Sequence, residues 1–237
     1  MKTLTKPSFF ILATLFAVTT CCAQTAEEIV NKNIEAIGGK ALLGSIKSVV
    51  IESSVEANGN EFQSTTYILN GKGFKSETDF GGSKIVNVIT PTGGWMINPL
   101  AGQTTATALP DDAVKQSQGQ LIVGGPLVDY SANGGKIELV GKDTADYKIK
   151  FTNNAGADAT FFINMKTYLI DMVTVKLNMG GQEQETTIHF TDYRKTDGGP
   201  IMPFQQSREL PQFTLNITNK KIDINKEIDP SIFDMPK

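Results

Sequence analysis

The feature that most constrains this chain is a succession of short segments in which apolar and polar residues alternate. In the first segment one face carries the apolar side chains of Val49, Ile51 and Val55. The other face carries Glu52, Ser54 and Glu56. Because successive side chains of a strand point to opposite faces, the alternation predicts strands with one buried face. A large sheet with an apolar side and little helix must bury that side against a lid, a partner or a lipid-like guest.

Turn residues separate the strands, as in an antiparallel meander. Asn58-Gly59 and Asn70-Gly71 are typical of tight hairpin turns. Further strands are predicted at 62–68, 74–79, 84–90, 94–98, 147–151, 159–164, 168–177, 182–194 and 212–220. The total of about ten or eleven strands is more than an open twisted sheet usually carries without curling. The fold class predicted is mainly β, with a single curved antiparallel sheet.

A helix precedes the first strand. Thr25 stands three residues before Glu28, which is the spacing of a capping box, and Gly38-Gly39 supplies a left-handed stop. The apolar residues between them share one face, Val30, Ile34 and Ile37. A second, shorter helix is predicted over 40–46. Both helices are candidate cover for one end of the sheet.

The amino terminus has the features of an export signal. Lys2 and Lys6 precede an apolar stretch at 9–18 that is too short to span a bilayer, and Ala23 offers a cleavage site before Gln24. We expect residues 1–23 to be a cleaved secretory signal peptide and residues 24–237 to form one domain in the periplasm. A lipid-anchored form, with lipid on Cys21 or Cys22, is the less favoured alternative because Thr20 rather than a small Gly, Ala or Ser precedes Cys21.

Removal of the signal changes the chemistry available to the mature chain. Cys21 and Cys22 are the two cysteines, so disulfides, thiolate metal sites and cysteine nucleophiles leave with them. The chain also loses Lys2 and Lys6 from its 22 basic residues while keeping all 25 acidic ones, so the formal charge falls from −3 to −5. This charge disfavours nucleic acid as a partner. The mature sequence contains no apolar run long enough to predict a transmembrane span.

The middle of the chain interrupts the strand pattern. Asp111 and Asp112 occupy a predicted helix start, where acidic residues are favoured, and the apolar run Leu121, Ile122 and Val123 ends at Gly124-Gly125. One interpretation of residues 111–130 is a mobile helical lid. An ordinary crossover packed firmly on the core is an equally good interpretation of the same pattern.

The sequence offers little for enzyme chemistry. His189 is the single histidine, and the alternation of its strand places it on the outward face together with Tyr193. The paired carboxylates have structural explanations, since Glu27-Glu28 and Asp111-Asp112 lie at predicted helix starts. We therefore predict no catalytic residues, no cofactor and no metal site.

Several segments together carry a family resemblance. They are Ala26 to Val30 with Ile37-Gly38-Gly39, Gly94 to Pro99, Phe161 to Asn164, Asp192 to Arg194 with Gly198-Gly199-Pro200, and Ile228 to Phe233. With these segments the mature chain resembles the LolA-like family of outer-membrane lipoprotein-sorting proteins. The resemblance implies an unclosed antiparallel β-barrel whose mouth is plugged by helices. It also implies a periplasmic carrier of lipoprotein acyl chains or another lipid, with a membrane-bound donor or acceptor protein as a possible partner.

The chain departs from that family at one point. Carriers of the family hold the lid with an arginine on an early strand, whereas this chain has only Arg194 and Arg208, both late. Lipid binding in general is therefore a better expectation than entry into the lipoprotein-sorting pathway itself.

Apolar residues that could line a lipid cavity complete the prediction. They are Trp95, Leu121, Ile122, Val123, Phe162, Met172 and Phe190. The alternative is a filled core, in which the protein is a non-catalytic structural or interaction module of the cell envelope. An apolar hollow of roughly 300 Å³ or more on the concave side of the sheet would favour the carrier.

Overall fold

The computed structural model describes residues 24–179, 182–210 and 213–236. The proposed signal peptide, residues 1–23, lies outside the described residues. The chain begins with helix α1 (Ala26–Ala36), followed by α2 (Gly39–Ser45). The predicted capping box is present, because the Thr25 side chain accepts a hydrogen bond from the Glu28 backbone and the Glu28 side chain accepts one from the Thr25 backbone.

The rest of the chain forms one sheet of 13 strands. These are β1 (Ser48–Ala57), β2 (Asn60–Leu69), β3 (Gly73–Phe80), β4 (Ser83–Thr90), β5 (Gly93–Asn98), β6 (Gln103–Ala108), β7 (Lys136–Lys142), β8 (Asp146–Thr152), β9 (Asp158–Asn164), β10 (Ile170–Met179), β11 (Gln182–Lys195), β12 (Ile201–Glu209) and β13 (Thr214–Ile224). Their spatial order is β6-β5-β4-β3-β2-β1-β13-β12-β11-β10-β9-β8-β7, and every neighbouring pair is antiparallel. Strands β6 and β7 form the two edges, so the sheet is not closed. The prediction of a mainly β, unclosed antiparallel fold is confirmed.

Three strands were not expected from the sequence, which is why the count exceeds ten or eleven. The β6 sequence, Gln103–Ala108, lacks large apolar residues, and β7 is a short edge strand. In β12, Pro203 argues against a central strand because proline has no N–H to donate. The structure accommodates Pro203 because β12 pairs with β13 only from Gln205 onward.

The sheet curves around α1. A single buried cluster joins Ile29, Val30 and Ile34 of α1 with Val49 of β1 and Ile149 of β8. Strands β1 and β8 are six neighbours apart in the sheet. In a flat sheet they would be separated by roughly 29 Å, further than a helix about 10 Å wide can reach. We call the face that α1 contacts the inner face and the opposite one the outer face.

A second buried cluster lies on the outer face. It joins Val86 and Val88 of β4 and Trp95 of β5 with Phe233, which belongs to a 3₁₀ turn at Pro230–Phe233. The indole Nε1 of Trp95 donates a hydrogen bond of 2.9 Å to the carbonyl oxygen of Phe233. The carboxy-terminal segment therefore covers the outer side of β4 and β5.

The chain between β6 and β7 packs on the core. Helix α3 (Asp111–Ser117) and a 3₁₀ turn (Gln118–Leu121) lead into a loop in which Leu121, Val123 and Leu127 are only 4%, 3% and 1% exposed. The backbone N–H of Gly71 donates to the carbonyl of Leu121 at 2.7 Å. Of the two interpretations of this segment, the structure has the firmly packed one. Among the described helices, none is both long and apolar enough to cross a membrane.

Candidate functional site

The inner face of the sheet is covered over only part of its area. Helix α1 and the loop at 121–130 bury the inner side chains of β8, β9 and β10, including Ile149, Phe161 and Val173. They also bury Val49, at the start of β1. This part of the inner face is an ordinary protein core.

Next to this core the inner face is polar. Ser53 of β1 is buried and donates a hydrogen bond of 2.8 Å from Oγ to Oδ1 of Asn219 on β13. Asn219 in turn donates from Nδ2 to the carbonyl of Pro203. On the neighbouring strands the hydroxyls of Ser64 and Thr78 are 3.0 Å apart and hydrogen-bonded. The side chains of this polar strip satisfy one another's hydrogen-bonding groups, so the strip is a stable, internally bonded part of the inner face.

Beyond the polar strip the inner face is apolar again but only half-buried. We call this region the inner patch and define it as Phe62, Phe80, Ile188, Leu215 and Ile217. The rings of Phe62 and Phe80 have centroids 4.2 Å apart. Val55 of β1 lies between Phe62 and Ile217 in the strand register, which makes the patch continuous across the sheet. Because the side chains of the patch are only partly buried, they still contact solvent. The patch is therefore an apolar surface available to a ligand.

One arginine lies between two residues of the inner patch. Arg208 of β12 lies directly opposite Ile188 of β11 and Leu215 of β13 in the register. Its Nε is buried without a hydrogen-bond partner, and burial lowers the pKa of its guanidinium. Thr186, two residues before Ile188 on the same face, is 1% exposed, and its Oγ1 also has no partner. The strand pattern did not point to this arginine, because β12 was not expected from the sequence.

The predicted cavity residues divide between the two faces. Phe190 lies on the inner face of the sheet and packs against the core. Leu121, Ile122 and Val123 belong to the segment between β6 and β7, where Leu121 and Val123 are buried and Ile122 packs against the core. Trp95 lies on the outer face under the carboxy-terminal segment.

Phe162 and Met172 lie opposite each other in the β9–β10 register, and their neighbours Phe161 and Val173 face the core. Because alternate residues point to opposite faces, Phe162 and Met172 are on the outer face. A shift in the register between Ile170 and Met172 also places Ile170 among the core residues, although strict alternation would put Ile170 and Met172 on one face. With Trp95, Phe162 and Met172 therefore fall outside any cavity on the inner face.

His189 has the outward position predicted for it. It pairs with Met172 and Ser207 on the outer face, and its Nε2 is 3.3 Å from a carboxylate oxygen of Glu209. Tyr193 is also on the outer face, where its hydroxyl donates to the carbonyl of Ile170 at 2.7 Å. Burial raises the pKa of the Tyr193 hydroxyl. Within the described ranges, no group of three or more His, Cys, Asp or Glu side chains is placed to hold a metal ion.

Two hollows on the surface lie away from the inner patch. One, of about 630 Å³, is lined by Leu42 of α2 and by residues 195–199 of the β11–β12 turn. The other, of about 310 Å³, is lined by residues of the edge strand β7 and of β8. Neither includes a residue of the inner patch.

No protein-family model matches this sequence, and no curated protein matches it significantly. Solved structures match its fold. The LolA superfamily protein NE2245 from Nitrosomonas europaea is 11% identical, with a TM-score of 0.59 over 90% of this chain and 98% of that chain. A DUF1329 family protein from Desulfovibrio piger is 11% identical, with a TM-score of 0.57 over 88% and 97%.

A third structure, a domain described as an outer membrane lipoprotein-sorting protein, comes from Vibrio parahaemolyticus. It is 10% identical, with a TM-score of 0.52 over 87% of this chain and 94% of that chain. At such low identities the likeness concerns the fold. The resemblance to LolA-like proteins is confirmed at that level.

Proposed function

We propose that the protein binds lipid or lipoprotein acyl chains on the inner face of its sheet and carries them within the periplasm. The observation that carries the proposal is the inner patch, where Phe62, Phe80 and Ile217 are apolar, adjacent and half-buried. A hydrocarbon chain laid on the patch would remove both its own methylenes and these side chains from water. Each buried methylene contributes about 0.8 kcal/mol, so a single chain supplies ample binding energy.

The structural comparisons support the same kind of function. One similar structure belongs to the LolA superfamily, and another is described as an outer membrane lipoprotein-sorting domain. The cleavable signal proposed for residues 1–23 fits a protein exported to the periplasm. A membrane-bound donor or acceptor protein is the partner that such a carrier requires. We propose no catalytic activity for this chain.

The segment between β6 and β7 is the proposed gate of this site. Its own Leu121 and Val123 are buried against the rest of the protein, and Phe190, two residues after Ile188 on the inner face of β11, packs against the core that the segment covers. Moving this segment would uncover those core side chains and enlarge the apolar surface offered to an acyl chain.

One observation favours a second candidate function, a non-catalytic structural or interaction module. The loop at 121–130 fills the inner face beside β8 and β9, and the two hollows of about 630 and 310 Å³ lie elsewhere. In this alternative the inner patch is simply the exposed margin of a filled core.

Binding of a fluorescent acyl probe distinguishes the two candidates. We expect the mature protein to bind the probe. The double substitution Phe62→Ser with Ile217→Ser should weaken binding about tenfold or more, because two apolar side chains of the patch are lost. Met172→Ser, on the outer face, is the matched control and should leave binding unchanged. Equal binding by all three proteins, or no binding at all, would favour the structural module.

A further inference from the structure

The two arginines of this chain have different surroundings. Arg194 makes two hydrogen bonds to the carboxylate of Asp192, at 2.8 and 2.6 Å, and stacks on the ring of Phe204. Arg208 has no carboxylate within salt-bridge distance among the side chains that the structure describes. The one acidic neighbour in its own strand, Glu209, points to the outer face, where it meets His189. Arg208 is thus a cation on the inner wall without an anion.

Leaving a charged donor buried and unpaired is unfavourable. An arginine cannot shed its proton at physiological pH, so its guanidinium remains charged even where burial lowers its pKa. The Thr186 hydroxyl adds a second unsatisfied polar atom, diagonal to Arg208 across the β11–β12 ladder. Such diagonal positions are about 7–8 Å apart, within reach of a long side chain. Two polar groups that have no partner among the described side chains, at one place on an apolar wall, are suited to bind an anionic group of a ligand.

We propose that Arg208 and Thr186 form an anion-binding subsite on the inner face, and that it takes the carboxylate or phosphate group of a single-chain amphiphile. The inference rests on the proposed function and adds the chemical class of its ligand. The guanidinium presents a fork of N–H donors that fits two oxygens of one anionic group, and the threonine hydroxyl donates to the same group. A buried charge–charge hydrogen bond of this kind orients the ligand.

The neighbours of the subsite select an amphiphile over a free anion. Ile188 and Leu215 flank Arg208 in the register, and Ile217 follows Leu215 on the same face of β13. A ligand that satisfied only the guanidinium would leave these apolar side chains half-exposed. An anionic group with a hydrocarbon tail satisfies the guanidinium and covers the inner patch together.

The test compares anionic and neutral ligands of equal chain length on the mature protein. Dodecanoate, dodecyl phosphate and methyl dodecanoate are titrated by calorimetry, with acetate and inorganic phosphate as anions without a tail. We expect both dodecyl anions to bind about tenfold or more tightly than the methyl ester. Whichever anion binds more tightly identifies the ligand as a carboxylate or a phosphate amphiphile.

Four variants locate the effect. Arg208→Gln should reduce the affinity for the anions to that for the ester and leave the ester itself unchanged, whereas Arg208→Lys should keep part of the preference. Thr186→Val keeps the shape of the side chain, removes the hydroxyl and should weaken anion binding alone. Arg194→Gln is the matched control, because Arg194 is already paired with Asp192 and lies 60% exposed. Thermal unfolding confirms that each variant is folded.

The outcomes separate this inference from the proposed function. Equal affinity of the wild-type protein for dodecanoate and methyl dodecanoate, or full anion affinity in both Arg208→Gln and Thr186→Val, overturns the subsite and leaves the acyl-binding function intact. Binding of acetate or inorganic phosphate as tight as that of the dodecyl anions overturns the amphiphile as ligand. Failure of every dodecyl ligand to bind the wild-type protein overturns the proposed function and the subsite with it.

Discussion

Trp95 and Phe233 are 138 positions apart in the sequence and are joined by a hydrogen bond of 2.9 Å from the indole nitrogen to the backbone carbonyl. The Phe233 ring, 5% exposed, also lies so close to Gly73 that a β-carbon at that position would be 2.7 Å from it. The carboxy-terminal segment is therefore fastened to the outer face by both a polar and an apolar contact. It closes the outer side of β3, β4 and β5.

This attachment predicts a large effect of Phe233→Ala. Loss of a buried aromatic ring typically lowers the free energy of unfolding by about 3–5 kcal/mol. Gly73→Ala should also destabilise the protein, because its methyl group would collide with the ring. Denaturant unfolding measures both effects. Met235→Ala, at a side chain 46% exposed, is the control, and a similar loss there would contradict the special role of Phe233.

Asn70 bonds the proposed gate between β6 and β7 to the rest of the protein. Its Oδ1 accepts from the Val123 backbone at 3.1 Å, and its Nδ2 donates to the Ile46 carbonyl at 2.9 Å. Asn70→Ala should lower the free energy of unfolding by about 1–2 kcal/mol, since two hydrogen bonds are lost. It should also speed amide hydrogen exchange at 118–128 and the release of a bound acyl probe. Asn60→Ala, at the exposed start of β2, is the control.

If hydrogen exchange at 118–128 were unchanged in Asn70→Ala, Asn70 would not hold the gate. Serine at Leu121 and Val123 would be a less informative test of the gate. These side chains are 4% and 3% exposed, so serine there lowers overall stability along with any effect on binding.

Helix α1 is attached to the β9–β10 turn through Asn33. The Asn33 side chain is 1% exposed and donates to the Tyr168 carbonyl at 2.7 Å. Asn33→Ala should lower the free energy of unfolding by about 1–3 kcal/mol, because it leaves a buried carbonyl unpaired. The exposed Glu35→Ala on the same helix should change stability much less. An equal loss of unfolding free energy in the two variants would show that the hydrogen bond of Asn33 does not contribute to stability.

Asp146 predicts a pH dependence of stability. Burial, together with the negative charges of Asp171 and Asp143, raises the pKa of the Asp146 carboxyl, and its Oδ1 has no hydrogen-bond partner. The folded state therefore binds this proton more tightly than the unfolded state. The associated stability is present at acidic pH and is lost as the pH rises through the unfolded pKa of about 3.9 toward the raised one.

Asp146→Asn should accordingly raise the midpoint of thermal unfolding at pH 7 and change it little at pH 3. Asp111→Asn, at an exposed residue of α3, is the control at both pH values. A midpoint at pH 7 that is unchanged or lower in Asp146→Asn would show that the buried carboxylate is not a source of instability.

Much of the fold followed from local pattern. The capping box of α1, the turns at Asn58-Gly59 and Asn70-Gly71 and the alternating strands were predicted because each depends on residues close in sequence. Strand β12 was not, since Pro203 is compatible with a central strand only through the partial pairing with β13. That pairing depends on tertiary structure.

The site was harder to predict than the fold. Alternation indicates that Trp95 and Phe162 lie on an apolar face of the sheet. It does not indicate whether that face is the inner or the outer one. The carboxy-terminal segment accounts for Trp95, and Lys148 lies 5.3 Å from the centre of the Phe162 ring. Arg208 was noted in the sequence only as a late arginine, because its strand β12 was not expected, and only the register places it on the inner wall.

The pairing of the first strand with the last has a consequence for biogenesis. Strands β1 to β6 and strands β7 to β13 form two series in which each strand pairs with the next one in the sequence, so each series can form from local contacts. The pairing of β1 with β13 instead joins residues far apart in the sequence, such as Val49 and Ile224. Such a distant closure is slow and must await the emergence of nearly the whole polypeptide. A chain built in this way cannot complete its sheet until its last strand has been synthesised, and an incompletely folded chain is the form that the proposed export would require.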